Sequence, residues 1–371
     1  MDQAWIVDHP RPIDDGPLRR IEREVPQPGA GQVRVRVVCC GVCRTDLHLA
    51  EGDLAPHRPR TTPGHEIVGV VDAVGDGVRR FSEGDRIGVA WLAGTDGTCA
   101  YCRSGRENLC REPVFTGWDV DGGYADHCLA DEAFVYPLPD AIDDEQAAPL
   151  LCAGIIGYRA LLRADVPRGG SLGIYGFGGS AHLTAQLALH EGTRVHVLTR
   201  GAGNQDLARR LGADSVGGAD DEPPEPLDSA ILFAPAGELV PVALRALAPG
   251  GTLAVAGIWL SDIPPLDYAA ELFEERQLRS VTANTRADGE QFLRLAARHG
   301  IRATTTAYPM AEADRALADL AHGRFSGAAG RHTCPSRPGP CTSLARRDGG
   351  DAGARRGPSR GGRRVGAVSG R

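Results

Sequence analysis

Three residues far apart in this 371-residue chain have the types and surroundings of a metal centre that does chemistry. Cys43 lies in Gly41-Val42-Cys43-Arg44-Thr45-Asp46-Leu47-His48, His65 in Pro63-Gly64-His65-Glu66, and Cys152 in Leu150-Leu151-Cys152-Ala153-Gly154. Two thiolates and one imidazole supply three corners of a tetrahedral zinc shell. The fourth corner stays open for water or substrate, and that opening separates a catalytic zinc from a structural one. Taken singly, each residue reads as a small buried Cys or a hydrogen-bonded His. The three contexts together carry the metal reading.

The neighbours of these ligands suggest a proton path. Asp46 is placed to hold the second nitrogen of a zinc-bound His65, or else serves only as a helix-start carboxylate. Glu66 follows His65 directly and reads either as an alternate ligand approaching from behind or as one half of a surface salt bridge. Thr45 and His48 are three apart, so one helical turn puts both on the same face. The Thr45 hydroxyl can take a proton from a hydroxyl at the open corner and the His48 imidazole can release it to water. The bland alternative makes Thr45 a cap and His48 a surface residue.

A second constellation points to a nucleotide. Gly176-Phe177-Gly178-Gly179-Ser180-Ala181-His182 follows an apolar strand and opens a helix. In that position the glycines allow a tight turn and close approach of a pyrophosphate to the helix N-terminus, with Ala181 standing at the third glycine position. NAD-binding turns place an acid about 20 residues further on. Here Val195-His196-Val197-Leu198-Thr199-Arg200 offers none, and the next carboxylate is Asp206. A missing acid removes repulsion of a 2′-phosphate and Arg200 can pair with it, which favours NADP over NAD.

The elements that must position these groups fall into two kinds. Residues 32–38 alternate apolar and polar as a half-buried strand does. Ile67–Val74 and Arg86–Trp91 continue a β-rich first region, residues 1–152, which carries the metal loops. Beyond it, strand-like Ser171–Tyr175, Arg194–Leu198, Ser229–Phe233 and Gly251–Gly257 alternate with helix-like Ala181–Glu191, Gln205–Leu211 and Leu239–Ala248. Such βαβ alternation implies a doubly wound parallel sheet over residues 153–285. Residues 286–330 are expected to return to the first domain. The fold class is therefore α/β with a β-rich catalytic domain.

Composition narrows the function classes. Hydrophobic residues make up 42% and charged residues 24%, ordinary for a globular protein. The sequence shows neither a long uncharged apolar run nor a basic-then-apolar N-terminus, so no membrane association is expected. Ten Cys in a chain this long fit reduced thiols and metal in the cytoplasm better than a disulfide scaffold. All 41 basic residues are Arg and the formal net charge is −7. Residues 331–371 hold 10 Arg and 2 Asp, leaving 31 Arg against 46 acids elsewhere. An acidic body of that size argues against nucleic acid as its partner.

From about residue 25 to 329 these motifs resemble the zinc-dependent medium-chain alcohol dehydrogenases. The resemblance implies a GroES-like catalytic domain, a Rossmann domain, and reversible oxidation of primary or secondary alcohols to aldehydes or ketones with hydride transfer to NAD(P). It implies that Arg44 contacts the cofactor pyrophosphate, and that Trp91, in Gly88-Val89-Ala90-Trp91-Leu92, narrows the substrate pocket. Leu54 stands where one branch of that family has a second Trp, so a roomier pocket is expected. It also implies a structural zinc in Thr98-Cys99-Ala100-Tyr101-Cys102, closed by Cys110. The fourth family Cys is replaced by Asp96, whose carboxylate can still ligate zinc. Homo-oligomers, dimers or tetramers, are the family expectation. Two other functions fit less of the sequence. A zinc-free quinone or enone reductase of the same fold would not need three zinc ligands. A non-enzymatic zinc protein with a nucleic-acid-binding tail would not use the glycine turn.

The chain ends unlike that family. After Gly330 it runs Arg331-His332-Thr333-Cys334-Pro335 and stays rich in Arg, Gly and Pro to Arg371, with one Leu and no aromatic residue. Such a segment cannot bury a face, so 331–371 is expected to be disordered. A frameshift near residue 330 that replaced the last apolar strand is one explanation, and a basic arm for an anionic partner is the other. On the first, the β-rich domain lacks one strand.

Overall fold

The structure, a computed structural model, describes residues 1–324 and the backbone of residues 328–332. A two-stranded ribbon, β1 (Asp2–Val7) and β2 (Leu18–Arg23), precedes β3 (Gln32–Val42). Along β3, Val33, Val35 and Val37 are fully buried while Arg34 and Arg36 face outward, as a period of two requires. A register shift against the next strand between Val37 and Cys39 then breaks the alternation. Such a bulge turns the strand, and Cys39 and Cys40 consequently enter two different core clusters. β3 leads directly into α1 (Arg44–Glu51).

β4 (Ile67–Val74), β5 (Arg86–Val89), β6 (Leu92–Gly94), α2 (Ala100–Arg103), β7 (Val114–Phe115), β8 (His127–Asp131) and β9 (Val135–Pro137) complete the first region. Next comes one long helix in two parts, α3 (Asp144–Pro149) and α4 (Ile155–Ala164), joined by a π-helical turn over Leu150–Gly154. Pro149 has no N–H to give the helix, and a widened turn absorbs that loss. By length and composition this helix could cross a membrane, but most of it is buried inside the protein.

The second region runs β10 (Ser171–Tyr175), α5 (Gly179–His190), β11 (Arg194–Leu198), α6 (Ala202–Arg210), β12 (Ser215–Gly217), β13 (Leu227–Leu232), α7 (Leu239–Arg245), β14 (Leu247–Val255), α8 (Tyr268–Glu271) and β15 (Gln277–Ser280). All its pairings are parallel, in the order β12–β11–β10–β13–β14–β15. Strand order reverses between β10 and β13, so the carboxyl end of β10 opens into the crevice where ligands of such sheets bind. Strand β14 begins at Leu247, four residues before the strand read from sequence, because α7 ends at Arg245 rather than running on to Ala248. Nothing local distinguishes Leu244-Arg245-Ala246-Leu247 as helix or strand; pairing of Leu247 with Leu227 decides it.

The chain then forms α9 (Arg286–His299), β16 (Thr305–Pro309), α10 (Ala313–Ala321) and β17 (Ala328–His332). β16 and β17 join the first sheet, whose order is β16–β17–β3–β4–β5–β9, with β8 also on β3. Here the structure differs from the expected loss of a terminal strand. Arg331 and His332 pair with Cys40 and Cys39 of β3 and with Tyr308 and Pro309 of β16. Ladder bonds use backbone N–H and C=O groups, so a strand can form between two neighbours without an apolar sequence of its own. The rest of the expected tail, 333–371, lies outside the described residues.

The two sheets share a core. Cys39, Val68 and Ala90 of the first pack in one cluster with Leu150 and Leu151 of the π-turn, Ile174 of β10 and Phe292 of α9. Each fully buried side chain of this size contributes on the order of 1.5–3 kcal/mol, and here that burial fixes Cys152 against the first sheet.

Glu107 ties the second cysteine cluster to α9. Its carboxylate accepts the Arg286 backbone N–H at 3.0 Å and its Nε at 3.2 Å, and its side chain is only 6% exposed. Burial works against ionisation, but the N–H groups of Glu107 and Arg286 and the Arg286 charge outweigh it and hold the carboxyl below the usual 4.5. A depressed native value stabilises the fold above pH 4.5 and loses that contribution as pH falls through the native value. Glu107→Gln should therefore cost about 1–3 kcal/mol at pH 7, with the difference from wild type shrinking below pH 4.5. Urea unfolding at pH 7 and pH 4 measures it; a deficit independent of pH contradicts the ionic origin.

Candidate metal centre and nucleotide turn

Local folding explains how the first donor set converges. The β3 bulge delivers Cys43 to the N-cap of α1, where Asp46 three residues on accepts the Cys43 backbone N–H at 3.0 Å in a capping box. The same carboxylate accepts the Gly64 N–H at 3.0 Å and the Tyr124 hydroxyl at 3.1 Å. Its Oδ1 also lies 3.1 Å from His65 Nδ1. Asp46 is thus both a helix-start carboxylate and the partner of His65, so the two sequence readings hold together. In the neutral ring, a carboxylate at Nδ1 places the proton there and would leave the Nε2 lone pair for a metal.

That Nε2 faces Cys152 Sγ at 3.3 Å, and Cys43 Sγ lies 3.9 Å from Cys152 Sγ. Donor atoms around a tetrahedral zinc with bonds of about 2.3 Å to sulfur and 2.0–2.1 Å to nitrogen sit roughly 3.5–3.8 Å apart. The spacing matches that shell. Glu66 completes a group of four whose ligand atoms all lie within 4.8 Å of one another. The surface salt-bridge reading of Glu66 does not hold: it is 3% exposed and its Oε2 has no hydrogen-bond partner. A buried carboxylate oxygen without a donor is costly, and a cation beside it would relieve the cost.

The protonation of the set follows from its crowding. Hydrogen bonds from Cys152 and His65 hold the Cys43 thiol well below its usual value against the opposing effect of burial. Cys152 is pushed up by that same hydrogen bond and by burial. Burial alone would lower His65, but Asp46 and Cys43 outweigh it and raise the imidazole. Burial and the Cys43 charge raise Glu66. The lowered Cys43 thiol favours thiolate, the form that ligates metal.

Around this centre the expected residues are unevenly assembled. Thr45 is buried, its Oγ1 3.7 Å from Cys43 Sγ. His48 is half-buried, with Nδ1 2.9 Å from Asp53 Oδ2. Among the described residues no hydrogen bond joins Thr45 to His48, so their relay needs a bridging water or ligand hydroxyl. Trp91 stands edge-on to His65 at 4.9 Å between ring centroids. Leu54 is half-buried and its N–H bonds His48 O at 3.0 Å. Sequence reasoning missed Tyr124, which is fully buried on Asp46, and Phe115 and Trp118, which stack with Trp91. Aromatic residues in a Gly-rich loop give no periodic signal that would have identified them.

Asp96, Cys99, Cys102 and Cys110 also come together with ligand atoms within 4.8 Å. Asp96 Oδ1 accepts the N–H groups of Thr98 at 2.7 Å and Cys99 at 2.8 Å. Those two bonds hold its carboxyl well below the usual range. Cys99 is lowered by the Cys102 backbone N–H, whereas burial pushes Cys102 up to about 11. Three thiols and an ionised carboxylate at four corners suit a closed zinc shell.

At the end of β10, Gly176 adopts φ +85° and a Cβ there would meet Ala234 N at 2.8 Å, so only glycine makes this turn. Gly178 is different: it is exposed, caps α5, and a Cβ there would meet nothing within 4 Å. Gly179 and Ser180 open the helix, half-buried, and Ala181 is fully buried. One turn on, buried His182 donates from Nδ1 to Gly178 O at 3.1 Å, and its Nε2 accepts the Thr304 N–H at 3.3 Å. Burial lowers its imidazole and keeps it neutral. His182 thereby pins the glycine turn to the segment that re-enters the first sheet, a tie no sequence motif announced. After β11, Thr199 is buried and its hydroxyl donates to Arg200 O at 3.4 Å, while the Arg200 side chain is exposed. Arg44 is exposed at the start of α1. Asp206, the next acid, pairs with Arg209 at 2.9 Å.

Residues 29–140 match the family described as the alcohol dehydrogenase GroES-like domain. The chain is 57% identical over 331 residues to "Probable alcohol dehydrogenase AdhA" of Mycobacterium tuberculosis, covering 88% of this chain and 96% of the relative. An alcohol dehydrogenase of a Moraxella species is 34% identical over 319 residues, 82% of this chain and 93% of that one. Among solved structures, the cinnamyl alcohol dehydrogenase of Sorghum bicolor superposes with a TM-score of 0.80 at 28% identity, over 89% of this chain and 97% of that chain.

Proposed function

Since the chain belongs to the zinc-type medium-chain alcohol dehydrogenase family, we propose that it oxidises primary or secondary alcohols reversibly, with NADP preferred to NAD and with one catalytic and one structural zinc. In this reaction the alcohol gives a hydride from carbon to the nicotinamide and a proton from oxygen to solvent, leaving an aldehyde or ketone. The observation that carries the reading is the convergence of Cys43 Sγ, His65 Nε2 and Cys152 Sγ at 3.3 and 3.9 Å, with the far nitrogen of His65 already held by Asp46.

A zinc ion there supplies Lewis acidity toward the alcohol oxygen, and the nicotinamide supplies the hydride acceptor. The chain's own residues do the rest. Asp46 fixes the His65 ring with Nε2 toward Cys152 Sγ, the orientation from which it would ligate zinc. Thr45 holds the alcohol hydroxyl proton and His48, paired with Asp53, passes it to water. Glu66, whose oxygen lies with the three donors, would serve as an alternate ligand. The glycine turn and Arg44 hold the pyrophosphate, while Leu54 and Trp91 bound the substrate. Asp96, Cys99, Cys102 and Cys110 close the structural site. Self-association belongs to the same reading: Trp259, Tyr268 and Phe273 are 57–66% exposed, and β15 is one of the two edge strands of the parallel sheet.

Alcohol-dependent NAD(P)H absorbance with parallel zinc analysis tests the proposal; well-folded protein that oxidises no alcohol with either cofactor refutes it. NADP preference has its own test. Arg200 is exposed beside a strand end without an acid, and a charge-assisted bond to a 2′-phosphate is worth about 1.5–3 kcal/mol. Arg200→Ala should shrink the NADP-to-NAD ratio of kcat/KM by roughly ten- to a hundredfold. A wild-type ratio below one would remove the preference altogether.

A further inference from the structure

Arg302, Ala303 and Thr304 lead into β16, and among the described residues no backbone carbonyl accepts their N–H groups. Side chains hold this segment instead. Gln186 Oε1 accepts the Arg302 N–H at 3.1 Å, and its Nε2 donates to Arg302 O at 2.9 Å. Gln146 Oε1 accepts the Ala303 N–H at 2.8 Å, and His182 Nε2 accepts the Thr304 N–H at 3.3 Å. The Thr305 hydroxyl adds a bond to the Glu145 carboxylate. Three consecutive backbone donors are thus taken by α5, then α3, then α5 again.

These two helices carry the two halves of the site. α5 opens at the glycine turn, and His182 and Gln186, one turn apart, share one of its faces. The His182 ring also bonds Gly178 O, and Gln186 Nε2 also bonds His182 O at 3.1 Å, so both side chains are tied to the start of the helix. α3 runs on without a break into the π-turn that bears Cys152. Ala181 and Ala185 of α5 share a core cluster with Leu151 of that turn and Ile155 of α4. Apolar contact is non-directional, so it resists separation of the helices more than a slide of one along the other. Hydrogen bonds, with their narrow limits of distance and angle, oppose the slide.

We propose that His182, Gln186 and Gln146 are positioning residues: they clip residues 302–304 between α5 and α3 and so set the nucleotide turn relative to Cys152 for hydride transfer. This rests on the alcohol dehydrogenase reading and adds to it residues that are neither zinc donors nor part of the glycine turn. A hydride passes between two partners held by different elements, and a misplacement of about 1 Å between such partners can cost roughly a hundredfold in rate.

Two substitutions at one position separate the clip from simple packing. An asparagine amide can replace the Nδ1 donor to Gly178 but falls short of Thr304; a glutamine oxygen can replace the Nε2 acceptor and loses the bond to Gly178. In single turnovers of 1-butanol, with whichever of NADP and NAD the wild type uses faster, His182→Asn and Gln146→Leu should each slow hydride transfer by roughly ten- to a hundredfold. His182→Gln should regain most of that loss. Zinc content and the calorimetric Kd for the cofactor should stay near wild type in all three. Equal rates for the Asn and Gln variants, or a wild-type rate in Gln146→Leu, overturns the proposal. If the wild type oxidises no alcohol, the enzymatic reading has failed by itself, and amide hydrogen exchange judges the clip. NADPH or NADH added to the wild type should slow exchange at residues 302–304 as well as at the glycine turn, and His182→Asn should confine the slowing to the turn. No slowing at 302–304 in the wild type overturns the clip.

Discussion

Cys152→Ser should lower kcat/KM for every alcohol by about a thousandfold or more and remove one of the two proposed zinc ions, with the other site and the fold expected to persist. The magnitude follows from the several kcal/mol that Lewis-acid stabilisation supplies to the transition state. The locality follows from position. Cys152 sits in a π-turn whose neighbours Leu150 and Leu151 are fully buried and hold the backbone, so losing the thiolate changes the donor set and little of the packing. It is also hydrogen-bonded to both remaining donors, so a serine there leaves Cys43 and His65 as an incomplete shell. Cys43→Ser should do the same, and a chelator strong enough to empty the site should reproduce the loss in the wild type. Steady-state rates, metal content and Tm on the same preparation are the measurements. Full activity in either serine variant, or full activity after zinc removal, would defeat the catalytic-metal assignment.

Gly178→Val separates cofactor binding from folding. Gly176 cannot be used this way, because a side chain there strikes Ala234 in the protein itself. Gly178 is exposed with open space where a Cβ would stand, and its φ of −99° suits any residue. A side chain there obstructs only what approaches the helix N-terminus from outside, where the pyrophosphate is expected. Forcing extra volume into a close contact costs about 1–3 kcal/mol, so Kd for NAD(P)H should rise ten- to a hundredfold with Tm unchanged. Calorimetric titration and thermal unfolding of the variant decide it. Unaltered cofactor affinity would place the pyrophosphate somewhere else.

Much of the site was legible because its parts are local. Strands Ile67–Val74, Ser171–Tyr175 and Arg194–Leu198 have the bounds read from their apolar pattern. The glycine turn follows β10 as strand–turn–helix logic requires. The cysteine contexts named the donor types before their geometry was known. Features that depend on partners distant in sequence were not legible. Glu66 remained open between ligand and surface ion pair, because burial is set by what packs over it. Asp46 has four hydrogen-bonding partners from three separate segments, of which only His65 and the helix start were foreseen. The terminal strand was expected to be missing because Gly330-Arg331-His332 has no strand-like pattern, yet the β3 and β16 backbones recruit it.

By itself the sequence determined the chemical vocabulary: soft donors at 43, 65 and 152, a second set with Asp96 for a cysteine, and a phosphate turn with no acid after its second strand. Side-chain chemistry and short-range periodicity are properties of a few consecutive residues, so they survive without the fold. Only the tertiary structure decided convergence: that residues 109 apart meet at 3.9 Å, that Glu66 Oε2 is enclosed without a hydrogen-bond partner, and that rings from three loops cluster with Trp91 edge-on to His65. Those facts follow from how two sheets share one core, and no local pattern encodes which distant surfaces will close on each other.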